Sequence, residues 1–153
     1  MAEEEHSLIT DEHRAVIGKR SEPFTVTVKE EDARRMRDVL GDTDPRWADG
    51  TGNAPPYVLA MLTSGGRRPD MVRVLPGGLL TQQEWKFTRI LRIGETLTGY
   101  NQTVDIRERL GGRYGHSVLV TSGTDFYDAD GNHVASAMTT ITQFDPTRAR
   151  QND

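Results

Sequence analysis

A short stretch at residues 41–47, Gly-Asp-Thr-Asp-Pro-Arg-Trp, carries the residue types best suited to chemistry in this chain. Its Asp42 has a carboxylate that can take a proton or orient a water molecule. A few residues later, Pro55-Pro56-Tyr57 begins an apolar segment that is predicted to be a buried helix. A carboxylate in a tight turn beside a buried helix N-terminus is a place where a reaction can occur. The competing interpretation is that Asp42 only shapes the turn or caps a helix, as Asp often does.

Histidine is the side chain that most readily exchanges protons near neutral pH, and the chain has four. His6 falls in a predicted tail, His13 in a short polar helix, and His133 just after an Asp-Gly turn. Only His116 lies inside a predicted strand, where it could face the inner side of a sheet and act as a base. The alternative is a histidine satisfied in the core or at an interface. The four histidines do not have the spacing of a metal site.

A basic run surrounds the glycine pair at 111–112 and contains Arg107, Arg109 and Arg113. Arginines at a strand end can hold phosphate groups through charge-assisted hydrogen bonds. The alternative is a solvated hairpin end. The glycine pairs of the chain do not follow the GxxxxGK[ST] pattern of a phosphate-binding loop.

Two helices and a set of strands must position these residues. An amphipathic helix is predicted to end at Gly41, with Thr27 and Glu30 at the spacing of a capping box at its start. Its apolar face contains four residues, Ala33, Met36, Val39 and Leu40. A shorter helix without charged residues follows at 57–62.

Alternating polar and apolar residues predict the strands. One strand precedes the helices, at residues 22–28, and four follow them, at 80–90, 95–108, 114–127 and 133–144. Consecutive antiparallel strands with segregated helices indicate an α+β fold. We therefore predict a hot-dog fold, in which a curved antiparallel sheet wraps around one central helix. Such a sheet leaves an edge strand, which favours pairing with a second copy or a homologous subunit.

Length and composition limit the class of protein. With 153 residues the chain is expected to form one domain, at 10–145, between flexible tails at 1–9 and 146–153. A net charge of −4 disfavours nucleic acid as a partner, and no apolar run is long enough to cross a membrane. The absence of cysteine excludes disulfides and thiolate catalysis and is compatible with a reducing cytoplasm. We expect a cytoplasmic protein with no cofactor and no metal.

Three parts of the sequence resemble the MaoC-like hydratase/dehydratase family, in particular its N-terminal-type domain. They are the strand, helix and Gly-Asp turn at 26–45, the segment 107–115, and the Phe-Tyr-Asp-Ala-Asp-Gly segment at 126–131. The resemblance extends over about residues 10–144. It implies a hot-dog domain that hydrates enoyl thioesters, or dehydrates (R)-3-hydroxyacyl thioesters, on coenzyme A or acyl carrier protein.

Active members of that family carry Gly-Asp-x-Asn-Pro-x-His, whose Asp and His hold the reacting water between them. This chain matches at Gly41, Asp42 and Pro45, but Asp44 replaces the Asn and Trp47 replaces the His. Indole donates one hydrogen bond and cannot accept a proton at physiological pH. By the resemblance, Asp42 is the remaining catalytic candidate, and His116 a distant substitute for the lost base.

The resemblance also suggests which residues bind substrate. The family polarises the thioester carbonyl at the N-terminus of the central helix, where Pro56 and its neighbour leave Tyr57 as the first N–H donor. Trp47 is interpreted either as a rim aromatic or as a wall of the acyl or pantetheine tunnel. Arg109 and Arg113 are candidates for the phosphates of coenzyme A or of a carrier protein's prosthetic group.

Three functions remain open at this stage. The first is a hydro-lyase component that builds the acyl-binding half of a complex, while a homologous partner supplies the Asp/His pair. The second is a self-sufficient hot-dog thioesterase, or a hydratase with a substitute base. The third is a non-catalytic thioester-binding protein. The first predicts a dimer, homomeric or heteromeric, and the missing His disfavours the second.

Overall fold

The computed structural model describes residues 6–64 and 71–149. They form four α-helices, one 3-10 helix at Pro45–Trp47, and seven strands. The helices are α1 (Asp11–Ala15), α2 (Glu30–Leu40), α3 (Tyr57–Ser64) and α4 (Pro146–Ala149). The strands are β1 (Phe24–Thr27), β2 (Asn53–Ala54), β3 (Gly77–Phe87), β4 (Leu91–Arg92), β5 (Thr96–Arg109), β6 (Ser117–Tyr127) and β7 (His133–Phe144).

One five-stranded antiparallel sheet dominates the structure, with the strand order β1-β5-β6-β7-β3. The first strand and the four long strands were all predicted, with ends that differ by up to three residues. A separate two-stranded sheet of β2 and β4 was missed, because two-residue strands carry no periodic pattern. The sheet curls around α3, which confirms the predicted α+β hot-dog fold.

The inner face of the sheet carries two apolar clusters. The first lies under α3, where Val58 and Leu59 are fully buried against Phe126. Phe126 also stacks on Trp85 with ring centroids 6.0 Å apart. The second cluster lies at the other end of the strands and centres on four residues, Ile9, Ile106, Val118 and Val120. Since the eight residues of α3 extend only about 12 Å, the helix covers just one end of a sheet whose long strands exceed 35 Å.

The amphipathic helix has the predicted end but not the predicted start or face. Gly41 adopts the left-handed conformation at φ 63°, which terminates the helix as expected. The capping box was wrong, because Thr27 ends β1 and its hydroxyl bonds the hydroxyl of Thr96 at 2.9 Å. Val39 and Leu40 are 75% and 57% exposed, so the last turn of α2 does not pack on the core.

Both ends of the described chain are more ordered than predicted. Ile9, which we placed in a flexible tail, is 6% exposed and belongs to the second apolar cluster. The backbone N–H of Leu8 donates to Glu108, which fixes this segment to the end of β5. Residues 146–149, also placed in a tail, form α4. Short segments of this kind are stabilised by contacts with the sheet that no local pattern reveals. Within the described ranges, no helix is both long and apolar enough to cross a membrane.

Candidate active site

The Gly-Asp turn directly follows α2 and points its carboxylate toward α3. The backbone N–H of Asp42 donates to the carbonyl of Arg37 at 2.9 Å, which closes the helix end through the left-handed Gly41. The carboxylate of Asp44 accepts from the N–H of Arg46 at 2.9 Å and caps the 3-10 helix. Asp44 therefore forms the turn that leads into the 3-10 helix.

Three donors surround the carboxylate of Asp42. Its Oδ1 accepts from the backbone N–H of Asp44 at 2.9 Å. Its Oδ2 accepts from the indole Nε1–H of Trp47 at 2.8 Å and from the hydroxyl of Tyr57 at 2.7 Å. These bonds, the one from Asp44 foremost and then those from Tyr57 and Trp47, lower the pKa of Asp42 below its ordinary value. A carboxylate whose charge is stabilised in this way is a weak proton acceptor.

The hydroxyl of Tyr57 is held in its protonated form, which complements the ionised carboxylate of Asp42. Burial, followed by its hydrogen bond to Asp42, raises the pKa of the Tyr57 hydroxyl to about 12. The phenol stays protonated at neutral pH and acts as a hydrogen-bond donor to the carboxylate. Asp42 and Tyr57 therefore form a hydrogen-bonded pair of an ionised carboxylate and a protonated phenol.

The N-terminus of α3 offers few donors. Pro55 and Pro56 have no N–H, and the N–H groups of Val58 and Leu59 donate to the carbonyls of those two prolines at 3.2 Å each. Of these first positions, only Tyr57 retains an N–H without a described acceptor. Among these first positions, the helix end therefore offers one free backbone donor.

A cleft of about 330 Å³ opens beside this helix end. Trp47 and Pro56 both line it, together with five further residues, Arg46, Phe87, Thr88, Arg89 and Ile90. Trp47 is only 8% exposed, so its ring packs inward and presents one border to the cleft. Trp47 and Pro56, two of the residues predicted to bind substrate, line the same opening, and Tyr57 is not among its lining residues.

Sequence reasoning missed the two arginines of the cleft. Arg46 lies over the ring of Trp47, 4.3 Å from its centroid, and pairs with Asp44 at 2.7 Å. Arg89 pairs with Glu95 at 2.7 Å. Arg46 lies within the turn motif at 41–47, so its position in the sequence could have identified it as a residue of the cleft. Arg89 follows β3, and no motif in the sequence marks it.

His116, Arg109 and Arg113 do not lie near this cleft. His116 precedes β6 instead of sitting within a strand, and its Nε2 is 3.5 Å from Glu108 of β5. Nine residues of β6, 117–125, separate it from Phe126, which packs under α3, a path of about 30 Å along an extended strand. Arg109 and Arg113 lie at that same far end and are exposed. The structure therefore does not bring any of the three together with Asp42.

No group of three His, Asp or Glu side chains that could hold a metal ion occurs within residues 6–64 and 71–149.

The Tyr57–Asp42 bond predicts a pH-dependent stability difference. Because the folded-state pKa of Asp42 lies below its ordinary value of 3.8, its stabilising charge is present above about pH 4 and lost as pH falls further. Tyr57→Phe is expected to lower the free energy of unfolding by about 1 kcal/mol at pH 7 and by less at pH 3. Urea unfolding at the two pH values measures this. Equal losses at both would show that the hydroxyl does not act through the carboxylate, and Tyr100→Phe is the matched control.

A sequence profile described as "FAS1-like, dehydratase domain region" matches residues 15–137, which is most of the chain. The chain belongs to this family. No curated protein matches the sequence significantly.

Solved structures with the same fold include hydratases and dehydratases. The ChsH1-ChsH2 complex from Mycobacterium tuberculosis aligns with a TM-score of 0.69 at 19% identity, over 83% of this chain and 89% of that chain. A MaoC-like dehydratase from Rhodospirillum rubrum aligns with a TM-score of 0.57 at 17% identity, over 84% and 92%. The C-terminally truncated HadBC complex, a 3R-hydroxyacyl-ACP dehydratase from M. tuberculosis, aligns with 0.58 at 17%, over 83% and 96%. At such identities the likeness establishes the fold, and with the family match it confirms the MaoC-like hot-dog domain.

Proposed function

We propose that this chain is the subunit of a heteromeric MaoC-like hydro-lyase that lacks the catalytic base, and that a homologous partner provides it. The substrates are enoyl or 3-hydroxyacyl thioesters of coenzyme A or acyl carrier protein. The observation that carries the proposal is the state of Asp42. Its carboxylate is engaged by Trp47, Tyr57 and the Asp44 backbone, and the residue in the histidine position is itself one of those donors.

The hydration of an enoyl thioester determines which proton-transfer groups the site needs. In hydration, the oxygen of water bonds to C3 of the enoyl thioester, one of its protons leaves to a base, and a proton is delivered to C2. Dehydration breaks the same C3–O and C2–H bonds in reverse. The step needs a group that accepts a proton and one that returns it. Asp42 has a lowered pKa, Tyr57 a raised one, and Trp47 only donates, so the partner's Asp/His pair must do both.

The edge strand β3 supports assembly with another subunit. It has 11 residues, pairs with β7 alone among the described strands, and is exposed over most of its length. Leu79 and Leu80 on it are 43% and 58% exposed. An exposed edge of this length is a template for strand pairing unless a partner covers it. Two of the similar structures are complexes, ChsH1-ChsH2 and HadBC, which agrees with a two-subunit arrangement.

In this proposal the chain contributes binding surface. Trp47 and Pro56 border the opening at the α3 N-terminus, with Arg46 and Arg89 as cationic groups on its rim. Arg109 and Arg113 remain proposed phosphate contacts, which would act outside this cleft. We propose that the hot-dog domain extends over residues 10–145 and that Ile9 also belongs to it. We propose a cytoplasmic location for the protein.

The test is the hydration of crotonyl-CoA, followed by the loss of enoyl absorbance. We expect no rate above background for the purified chain. The chain is then co-purified with a candidate partner, defined as a protein of similar length that carries Gly-Asp-x-Asn-Pro-x-His and is encoded by a neighbouring reading frame. That complex is expected to be at least about 1,000-fold faster than either chain alone. Hydration or thioester hydrolysis by the chain alone would contradict the proposal and favour the self-sufficient enzyme.

A non-catalytic thioester-binding protein is the outcome if no mixture is active. Titration of the chain with crotonyl-CoA identifies this function. Saturable binding without turnover, in a chain that does not assemble with the partner, would support a thioester-binding protein and contradict the heteromeric enzyme.

A further inference from the structure

The segment at residues 7–20 lies along the edge of β5 that β1 leaves uncovered, and we call it the strap. β1 pairs with residues 96–99 of β5, and the strap continues along the same edge. The N–H of Gly18 donates to the carbonyl of Thr103 at 2.8 Å, and the N–H of Leu8 donates to the carboxylate of Glu108. The strap therefore runs back along β5 almost to the end of that strand.

The strap is held at its two ends and weakly between them. Near one end, isolated bridges join Ile17 and Arg20 to β5, without the continuous ladder that fixes β1. Between the ends lies α1, which has no buried residue. At the other end, Ile9 is 6% exposed in the second apolar cluster. Because segments with few buried contacts open at a low free energy, the end at Ile9 decides whether the strap stays closed.

Glu108 is the anchor of that end. Its register partner is Val118, a residue of the second cluster, so its side chain lies on the inner face of the sheet. There the carboxylate accepts from the N–H of Leu8. Burial disfavours its charge, but hydrogen bonds from Leu8 and Ser7 outweigh that cost and lower the pKa of Glu108 below its ordinary value of 4.5. The strap is therefore anchored by a carboxylate held in its ionised form.

His116 is a second titratable group at this anchor. Its Nε2 lies 3.5 Å from Oε1 of Glu108, and the two side chains are 11% and 24% exposed. This Nε2 is buried and has no hydrogen-bond partner among the described residues. A neutral imidazole here leaves a polar atom unpaired, whereas an imidazolium forms an ion pair with the carboxylate. Since histidine is the side chain that changes its charge most readily near neutral pH, the pair responds to modest changes in pH.

Other charged groups on the elements around this pair are engaged or exposed. Arg14 of α1 donates to the carbonyl of Ile9 at 2.9 Å, and Arg73 likewise donates to a backbone carbonyl at 2.9 Å. The remaining groups nearest in the chain are exposed or half-buried, and they are Asp11, Glu12, His13, Lys19 and Arg20 on the strap, Arg107 and Arg109 on β5, and Arg113 before β6. The charge at the anchor is therefore set by Glu108 and His116.

The strap covers a part of the inner face that α3 does not reach. A cavity of about 560 Å³ lies there, and its lining includes no residue of α3. The sheet forms one side of it, and the strap forms another with Glu12, His13, Val16 and Lys19. Displacement of the strap would therefore open this cavity to solvent, together with the second apolar cluster.

We propose that the strap is a lid over this cavity, latched by the carboxylate of Glu108 and hinged near Gly18, and that the protonation of Glu108 and His116 sets how long it stays closed. Gly18 has a φ of 81°, which few other residues adopt, and it follows α1 where the strap rejoins the sheet. Opening of the lid does not depend on the proposed hydro-lyase function, whereas control of thioester entry by the lid rests on it.

The two groups favour closure in opposite protonation states. Since the folded-state pKa of Glu108 lies below 4.5, its contribution to closure is present above about pH 4.5 and is lost as pH falls further. Protonation of His116 adds an ion pair while Glu108 stays ionised. Closure is therefore strongest in mildly acidic solution and weaker at alkaline pH.

Amide hydrogen exchange of the full chain, followed by mass spectrometry, measures how often the strap opens. Glu108→Gln is expected to speed exchange at Leu8 and Ile9 about 5-fold or more at pH 7, because the strap loses a hydrogen bond to a charged group. The amides of β6 and β7 should stay within about 2-fold. Glu84→Gln, the same chemical change at an exposed position of β3, is the matched control and should leave the strap within about 2-fold.

The pH dependence of exchange separates a charged latch from a purely structural bond. After correction for the intrinsic exchange rate, protection of Ile9 relative to β7 is expected to fall about 5-fold from pH 7 to pH 3 in the wild type and to stay constant in Glu108→Gln. His116→Gln should remove the gain in protection between pH 8 and pH 6. Leu8→Pro removes the same hydrogen bond from the strap and guards against a folding defect in Glu108→Gln.

Access to the cavity has a separate measurement. The dye 1-anilinonaphthalene-8-sulfonate, which fluoresces in apolar surroundings, is expected to bind Glu108→Gln about 5-fold faster than the wild type or Glu84→Gln. The dye needs neither a thioester nor a partner subunit, so the lid can fail while the hydro-lyase stands, and the reverse. Unchanged exchange in Glu108→Gln, an equal rise across the whole sheet, the same effect in Glu84→Gln, or an unchanged rate of dye binding would each overturn the lid.

Discussion

Asp42→Asn in this chain is expected to leave the kcat of the assembled complex within about 3-fold of wild type. The corresponding Asp→Asn change in the partner's Gly-Asp-x-Asn-Pro-x-His is expected to lower kcat about 10²- to 10⁴-fold. The asymmetry follows from hydrogen bonding. Asp42 already accepts three bonds within its own subunit, and its pKa is lowered by them, so it has little capacity to activate water. In the proposed partner, the Gly-Asp-x-Asn-Pro-x-His motif supplies a histidine in place of the indole.

The measurement compares crotonyl-CoA hydration by the two single variants in otherwise identical complexes. Asp42→Asn also weakens the turn, so the mass of each complex and its Tm must be recorded beside kcat. Tyr57→Phe is the matched control, since it disturbs the same carboxylate without removing its charge. A loss above about 100-fold for Asp42→Asn, in a complex that stays assembled, would make Asp42 catalytic and contradict the proposed division of roles.

Asp42 shows how far the sequence could identify the site and where it could not. Local patterns in the sequence reveal the Gly-Asp turn, the mismatch at Trp47 and the proline pair before Tyr57. The structure places Asp42, Trp47 and Tyr57 in contact. The bonds from Trp47 and Tyr57 to a single oxygen depend on how α3 packs beside the turn. That packing is set by contacts across the sheet, which no local spacing encodes.

His116 and Ile9 show the same limit in the fold. The alternation of His116 with Val118 and Val120 predicted a strand interior, but β6 begins only at Ser117 and the histidine precedes it. Ile9 carries no periodic signal, yet it is buried against Ile106 and Val118 in the second cluster. The long strands were predictable because each has a repeating pattern of its own. Short segments and cavities lined by several elements have no such pattern, because they are formed by tertiary contacts alone.

Trp47, which stands where the resemblance expects a histidine, also has contacts that stabilise the fold. The carbonyl of Trp47 accepts from the guanidinium of Arg37 at 2.7 Å, while its indole holds Asp42. One residue thus joins α2, the Gly-Asp turn and the cleft.

Trp47→Ala is expected to lower the free energy of unfolding by about 3–5 kcal/mol, which corresponds to a fall in Tm of roughly 10 °C in a domain of this size. Trp47 is 8% exposed, and removal of its ring leaves a cavity and takes away one of the two donors to Oδ2 of Asp42. Trp47→Phe keeps most of the apolar ring and should cost less than half as much. Val39→Ala, at a site 75% exposed, is the surface control and should stay within about 0.5 kcal/mol. Thermal unfolding of the three variants decides between the two interpretations of Trp47. If Trp47 only formed a wall of the substrate tunnel, Trp47→Ala would raise the KM of the complex and leave its Tm unchanged.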